Sequence, residues 1–316
     1  MNGTLTRAVE VVREHGLAEF LRRGSLYSLG RPNVVAVELN RRLNHRMAGA
    51  NYNPAGFDVF EAEWDTLVVL DACRLDFFSK NNIFDGVLES RTSRGSNTME
   101  FLRGNFPGRD LLDIVYVSDN PMYYWMRDEL PKVYHFHMGP RDSFDGAVTH
   151  PAEFTDEALD VIDDHPNKRY IVHYLQPHAP YFSRDGDELY EIFPSSPTRC
   201  RVEGYSMEYV SKVYEENLQC VLGEVERLVS RLDGRTVLTA DHGELLGDRM
   251  RPIPLRALNH PEGVYADPLL SVPWMVVGDG ERRDVERGDR PLEYTIHSER
   301  PIEEQLADQL EKLGYL

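Results

Sequence analysis

The chain has 316 residues, 41% of them hydrophobic, enough to bury a sizeable core in one large domain or two modest ones. Its formal charge of −18, from 53 acidic against 35 basic side chains, repels nucleic acid over most of the surface. No stretch approaches the roughly 20 apolar residues that span a bilayer, and the charged start lacks the apolar core of a secretory signal. Three cysteines (Cys73, Cys200 and Cys220) fit reduced thiols, so a cytoplasmic location is expected.

The first fifty residues differ in charge from the rest, with eight arginines against four glutamates. Helical periodicity is expected over Leu5–Arg23 and Val34–Met47, and residues 1–60 are read as a helical arm. The arm either packs on the main domain or rests on an anionic membrane surface, making the protein peripheral there. Only His15 and His45 in it resemble metal ligands, so it is expected to stay clear of a metal. Residues 61–316 then form the catalytic domain. "DTLVVLDA" (Asp65–Ala72) is a continuous apolar run closed by an aspartate, the mark of a strand buried on both faces. "DIVYVSDNP" (Asp113–Pro121), "KVYHFH" (Lys132–His137), "RYIVHYLQPHAPY" (Arg169–Tyr181), "RTVLTADHGE" (Arg235–Glu244) and "SVPWMVVG" (Ser271–Gly278) follow the same plan. Helices are predicted between them at Thr98–Arg103, Met122–Glu129, Thr155–Asp164 (Thr155 as N-cap), Met207–Leu232 and Ile302–Leu313. Ser183–Ser206 shows no period and reads as a long loop. Alternation of this kind predicts an α/β fold: a mostly parallel sheet with helices on both faces, plus the arm.

Four motifs fall where strands should end, the ligand-binding edge of an open α/β sheet. "VVLDACRLD" presents Asp71 and, one turn on, Arg74. "SRGSNTMEFL" sets Ser96 and Thr98 at a helix start, where backbone N–H groups and the helix dipole favour an anion. "LQPHAPY" holds His178 between two prolines. "TADHGE" carries Asp241 and His242, with Gly243 permitting a sharp turn, and "LNHPEG" follows with His260. Asp71, Asp241 and His242 form an oxygen and nitrogen set suited to zinc or manganese, with calcium or magnesium as further options. A hydroxyl as an added ligand would be acidified into a nucleophile. His178 and His260 could grip the transferred group, protonate a leaving group or complete a second metal site. The remaining histidines (His135, His137, His150, His165, His173 and His297) read as structural.

These motifs, in this order, resemble the alkaline phosphatase superfamily, in particular its sulfatase-like branch, over roughly residues 65–278. The resemblance implies an alkaline-phosphatase-like fold, with Asp71, Asp241, His242, His260 and the nucleophilic hydroxyl at the metal. "GSNT" is similar to the "GTxT" element of lipid phosphoethanolamine transferases, which points to Thr98. The register of the lipoteichoic acid synthases points to Ser96. Cys73 stands in "DACRLD" and not in the C-x-P-S-R element that sulfatases mature to formylglycine, which argues against ordinary sulfate-ester hydrolysis. The Asp-x-x-x-His element of two-zinc phosphatases has no counterpart, so one tightly held metal is expected.

The expected function is therefore a metal-dependent hydrolase or transferase of a phosphate ester, less readily a sulfate ester, acting through a threonine and with Arg74 on the equatorial oxygens. Its substrate would be a phosphate or sulfate ester, including those of lipids or glycans, and no nucleic acid. The alternative is a non-catalytic member that binds a phosphorylated or sulfated glycan or a lipid head group. The acidic, lysine-poor composition (five lysines) is of the kind seen in salt-loving archaea, where salt screens self-repulsion.

Overall fold

A computed structural model describes residues 34–139, 149–185, 188–193, 196–202, 204–278 and 280–296. The predicted helices at Leu5–Arg23 and Ile302–Leu313, with His15 and His297, lie outside the described residues. An eight-stranded sheet runs through the molecule in the order β12 (Thr295–Ile296), β4 (Val133–Met138), β3 (Leu111–Ser118), β5 (Arg169–Tyr174), β1 (Thr66–Leu70), β8 (Thr236–Thr239), β11 (Ser271–Val277) and β2 (Leu88–Thr92). The first six are parallel, and β11 runs antiparallel to both of its neighbours.

Each central strand divides its apolar side chains between two layers, as the period-two geometry of a strand requires. Val68 and Leu70 of β1, with Val115 and Val117 of β3, face one core. That core is closed by α5 (Pro151–Asp164) and α7 (Met207–Val229), with Phe78 of α2 (Leu75–Asn81). Leu67 and Val69, with Ile114 and Tyr116, face the other core, under α3 (Thr98–Asn105) and α4 (Met122–Trp125). Every residue of β1 is buried, which is why it carries no polar alternation.

Several local expectations are corrected. The helix read from Thr155 begins four residues earlier: Pro151 takes the first turn, where its missing N–H costs nothing, and the His150 imidazole accepts from Ala152 N–H. Thr155 is buried inside the helix, donating to the Pro151 carbonyl. The segment read as a loop after Ser183 contains an antiparallel hairpin, β6 (Tyr181–Asp185) with β7 (Glu188–Phe193), and α6 (Pro197–Val202). A second hairpin, β9 (Leu245–Arg249) with β10 (Arg256–Asn259), follows the "DHG" turn. Its prolines and bulge hid it from a period-two reading. The edge strand β2 escaped for a similar reason, since Leu88–Thr92 is largely exposed and has no apolar run.

The second arm helix forms as expected, as α1 (Val34–Ala48). It buries Ala36 against Leu245, Met250, Ala257, Val264 and Leu269. Buried Asn40 exchanges hydrogen bonds with the backbone of Ile253, and Asn44 donates to the Arg251 and Gly263 carbonyls.

Gly243 is required for a reason other than torsional freedom. A Cβ there would lie 2.0 Å from the Pro268 carbonyl oxygen, where Gly243 N–H bonds the Leu269 carbonyl. Gly243→Ala should therefore destabilise the fold by about 2 kcal/mol or more. At Gly223, an exposed position of α7 with open space around it, the same change should stabilise by about 0.5–1 kcal/mol. Chemical denaturation of both variants checks the contrast.

Candidate metal and catalytic centre

The C-terminal ends of β1, β3, β5 and β8 open onto one place because these strands are parallel and contiguous. Asp71 follows β1 directly, and the next residue, Ala72, holds φ at +59°, a left-handed turn that a non-glycine residue adopts at some cost. Asp241 and His242 follow β8, the strand beside β1. Thr98 is the first residue of α3, whose N-cap Asn97 accepts from Glu100 N–H.

All four side chains are buried and converge. His242 Nε2 lies 3.4 Å from Asp71 Oδ1 and 3.3 Å from Asp241 Oδ2. Thr98 Oγ1 lies 2.7 Å from Asp241 Oδ2 and 3.4 Å from His242 Nε2. Four ligands held about 2.0 Å from a tetrahedral zinc would stand about 3.3 Å from one another. The donor set fits such an ion chemically too. Asp71 Oδ1 is buried with no hydrogen-bond partner. His242 Nδ1 faces the Gly243 carbonyl at 2.8 Å, which places its proton there and leaves Nε2 with a lone pair for the group.

Electrostatics agree with that fit. Burial pushes the Asp71 carboxyl well up, and the neighbouring Asp241 charge pushes it further. Burial also opposes ionisation of Asp241, but His242, His173, the Thr98 hydroxyl and the Ala72 N–H outweigh it, and its pKa falls. Two buried carboxylates this close hold one negative charge between them unless a cation supplies the counter-charge.

Two supporting residues were not among the sequence candidates. Asn120, just past β3, donates through Nδ2 to Asp71 Oδ2 at 2.5 Å and to Thr98 Oγ1 at 3.4 Å. Its place after a strand in "VSDNP" was the available signal. His173, read as structural and inward-facing, is buried on β5 with Nδ1 2.8 Å from the Tyr116 hydroxyl and Nε2 3.9 Å from Asp241 Oδ2.

The candidates separate into different roles. His260 joins not the aspartates but a second group, with His178 and Glu244, whose ligand atoms lie within 4.8 Å of one another. His260 Nδ1 stands 3.2 Å from Glu244 Oε2, and the His260 ring lies 4.9 Å from that of His178 and 4.6 Å from that of His242. Among the described residues there are thus two adjoining ligand groups, where one tightly held metal was expected. Glu244, the last residue of "TADHGE", completes the second. The Ser96 hydroxyl contacts Glu100 Oε2 and the Pro261 carbonyl. Four of the five Arg74 guanidinium N–H groups are engaged within the protein, where a hold on substrate oxygens was expected. Its guanidinium grips Asp76 and Asp248 and donates to the Glu244 carbonyl, so it holds the loop that carries Glu244. His45 of α1 reaches Glu100 at 2.7 Å, and Glu100 holds Ser96, two residues before Thr98, while neither ligand group includes a residue of α1. Cys73 is buried and, by burial and the charges of Asp76 and Asp241, its thiol is pushed well up.

No family model and no curated protein matches the chain. Among solved structures, it overlaps the zinc complex of the C-terminal periplasmic domain of EcEptC from Escherichia coli at 15% identity, covering 70% of this chain and 75% of that one, with a TM-score of 0.43. A 2-O GAG sulfatase overlaps at 10% identity over 72% and 65%, TM-score 0.39. Alkaline phosphatase from the Antarctic bacterium TAB5 overlaps at 10% over 81% and 100%, TM-score 0.32.

Burial raises the Glu244 carboxyl to about 7, against the lowering effect of His178 and His242. In metal-free protein, the unfolded state ionises from about pH 4.5 while the folded state keeps its proton until about 7. Stability is therefore lost as pH rises through that window. Glu244→Gln should stabilise metal-free protein by about 2–3 kcal/mol at pH 8 and by almost nothing near pH 4. Denaturation curves at the two pH values decide it.

Proposed function

We propose that the chain is a metal-dependent phosphoester hydrolase or phosphotransferase in which Thr98 is the nucleophile. The observation that carries this reading is the Thr98 hydroxyl, set at the N-terminus of α3 within 2.7 Å of Asp241 and 3.4 Å of His242. A divalent cation held by Asp71, Asp241 and His242 would lower the hydroxyl pKa and draw in a phosphoryl oxygen. Zinc suits these few oxygen and nitrogen donors better than magnesium or calcium, which take six or more oxygens.

Thr98 Oγ1 attacks phosphorus, the bond to the leaving oxygen breaks, and a phosphothreonine forms. Water or an acceptor alcohol then attacks the same phosphorus and frees the threonine. Asn120 Nδ2 keeps Asp71 and Thr98 in register. Burial lowers the pKa of His178 to about 3 and that of His260 to about 4, so both are neutral imidazoles at pH 7. Glu244, protonated up to about pH 7, is the group in this cluster with a proton to give to a leaving alkoxide. The same three side chains form a ligand set for a second cation, which would discharge that proton and instead hold the transferred group.

Phosphate is favoured over sulfate because the group set against the aspartates is the Thr98 hydroxyl, while Cys73 lies buried outside both ligand groups. Thr98→Ala should cut turnover of aryl phosphate mono- or diesters by about a thousandfold or more, with metal still bound by titration calorimetry. Ser96→Ala should cost about tenfold or less, through the Glu100 contacts. The reverse ranking would move the nucleophile to Ser96. Metal binding without turnover of any ester in the wild-type chain would leave the protein a binder.

In the folded protein Cys73 should resist iodoacetamide at pH 8, while unfolding exposes all three cysteines to it. Peptide mass mapping reads the modification, and an aldehyde at Cys73 would reopen the sulfatase reading.

A further inference from the structure

Helix α1 is amphipathic in the wrong sense for a helix that only packs on its own domain. Its fully buried residues are small or polar, Ala36, Asn40 and Asn44, with Val37 partly buried against the same core. Its outer face carries Val35, Leu39, Leu43 and Met47, spaced one turn apart and 67%, 46%, 41% and 71% exposed. Ordinary surface helices place these the other way round. Arg42 and Arg46, both exposed, lie among the outer apolar residues. Alongside runs the β9–β10 turn, tied to α1 through Asn40 and Asn44, with Arg249, Arg251 and Arg256 exposed and Leu255 38% exposed. Among the described residues, Arg46, Arg249, Arg251 and Arg256 form no ion pair with a carboxylate, while Glu38 is held by Arg41 and Arg42.

We propose that this face is a docking surface for an anionic lipid bilayer, with the four apolar side chains of α1 entering the interface and the flanking arginines meeting the head-group phosphates. Charge selects the occupant. A second copy apposed through this face would set arginine against arginine. Residues 1–33 carry five arginines against three glutamates, so they too share the sign of the patch. A nucleic acid would meet the arginines but leave the leucines in water. Only a surface both anionic and apolar beneath satisfies both sets. No helix among the described residues is long and apolar enough to cross a membrane, so the contact is peripheral. It stands independently of the catalytic reading, although His45 on the same helix would bring the centre close to that surface.

The test is co-sedimentation of the full chain with vesicles of phosphatidylcholine alone or with a third phosphatidylglycerol. At about 0.1 M salt the chain should pellet with the anionic vesicles only, and less as salt rises and shortens the screening length. Leu39→Gln with Leu43→Gln should weaken binding about tenfold or more. Arg251→Glu with Arg256→Glu should weaken it by about fivefold or more for each residue. Both variants should keep the wild-type melting temperature. Equal binding to neutral vesicles, no binding to anionic ones, or binding indifferent to either pair of substitutions overturns the proposal. Leu43→Cys labelled with an environment-sensitive maleimide supplies a second readout that needs neither double variant to fold. Rapid labelling without lipid and a blue shift with anionic vesicles support the proposal. Protection without lipid, which would mean that residues 1–33 or a second copy covers α1, overturns it.

Discussion

Two carboxylates buried side by side govern the rest of this structure. Asp71 and Asp241 leave adjacent parallel strands at the same edge and meet the same imidazole, with one Asp71 oxygen left without a partner. Removing two charges from water is costly, and hydrogen bonds from Asn120, Thr98 and the Ala72 amide offset only part of it. A divalent cation removes the conflict. The left-handed turn at Ala72 is accepted for the same reason, because it steers the chain from β1 so that Asp71 faces Asp241.

Around that pair the molecule is organised as supports. Tyr116 fixes His173 beneath Asp241, and Tyr214 pins the turn after Asp71 by donating to the Ala72 carbonyl and accepting from Arg74 N–H. Arg74 spends four of its five guanidinium N–H groups on Asp76, Asp248 and the Glu244 carbonyl, which ties it to the loop that carries the second cluster. On the far side, α1 reaches the loop before Thr98 through His45, Glu100 and Ser96. A helix that looked like an appendage is thereby linked to both the centre and the outer surface.

The two ligand groups differ in character. The aspartate group is rich in negative charge and close enough to share one ion. The His178, Glu244 and His260 group is nearly neutral, since burial keeps its histidines unprotonated and its glutamate protonated up to about pH 7. That contrast suits a division in which one group fixes a permanent cation and the other handles protons or a weakly held second ion.

Strand runs closed by aspartate, and a hydroxyl at a helix start, were legible in the residues because burial on both faces and helix capping leave local marks. So were Asp71, Thr98, Asp241 and His242 as one candidate set, since each sits within a residue or two of a recognisable strand or helix end. The sequence could not say that β5, β1 and β8 are neighbours, nor which residues complete the second ligand group. That His260 meets Glu244 is not legible locally, because the β9–β10 hairpin that turns residue 260 back towards residue 244 depends on pairings across a proline-broken stretch. The distant partners of Arg74 are hidden for a similar reason: Asp248 and the Glu244 carbonyl lie some 170 positions away along the chain. Residue chemistry and local periodicity are properties of neighbours in sequence. Which buried charges must share one small volume is set by strand order, and only the packed sheet decides that.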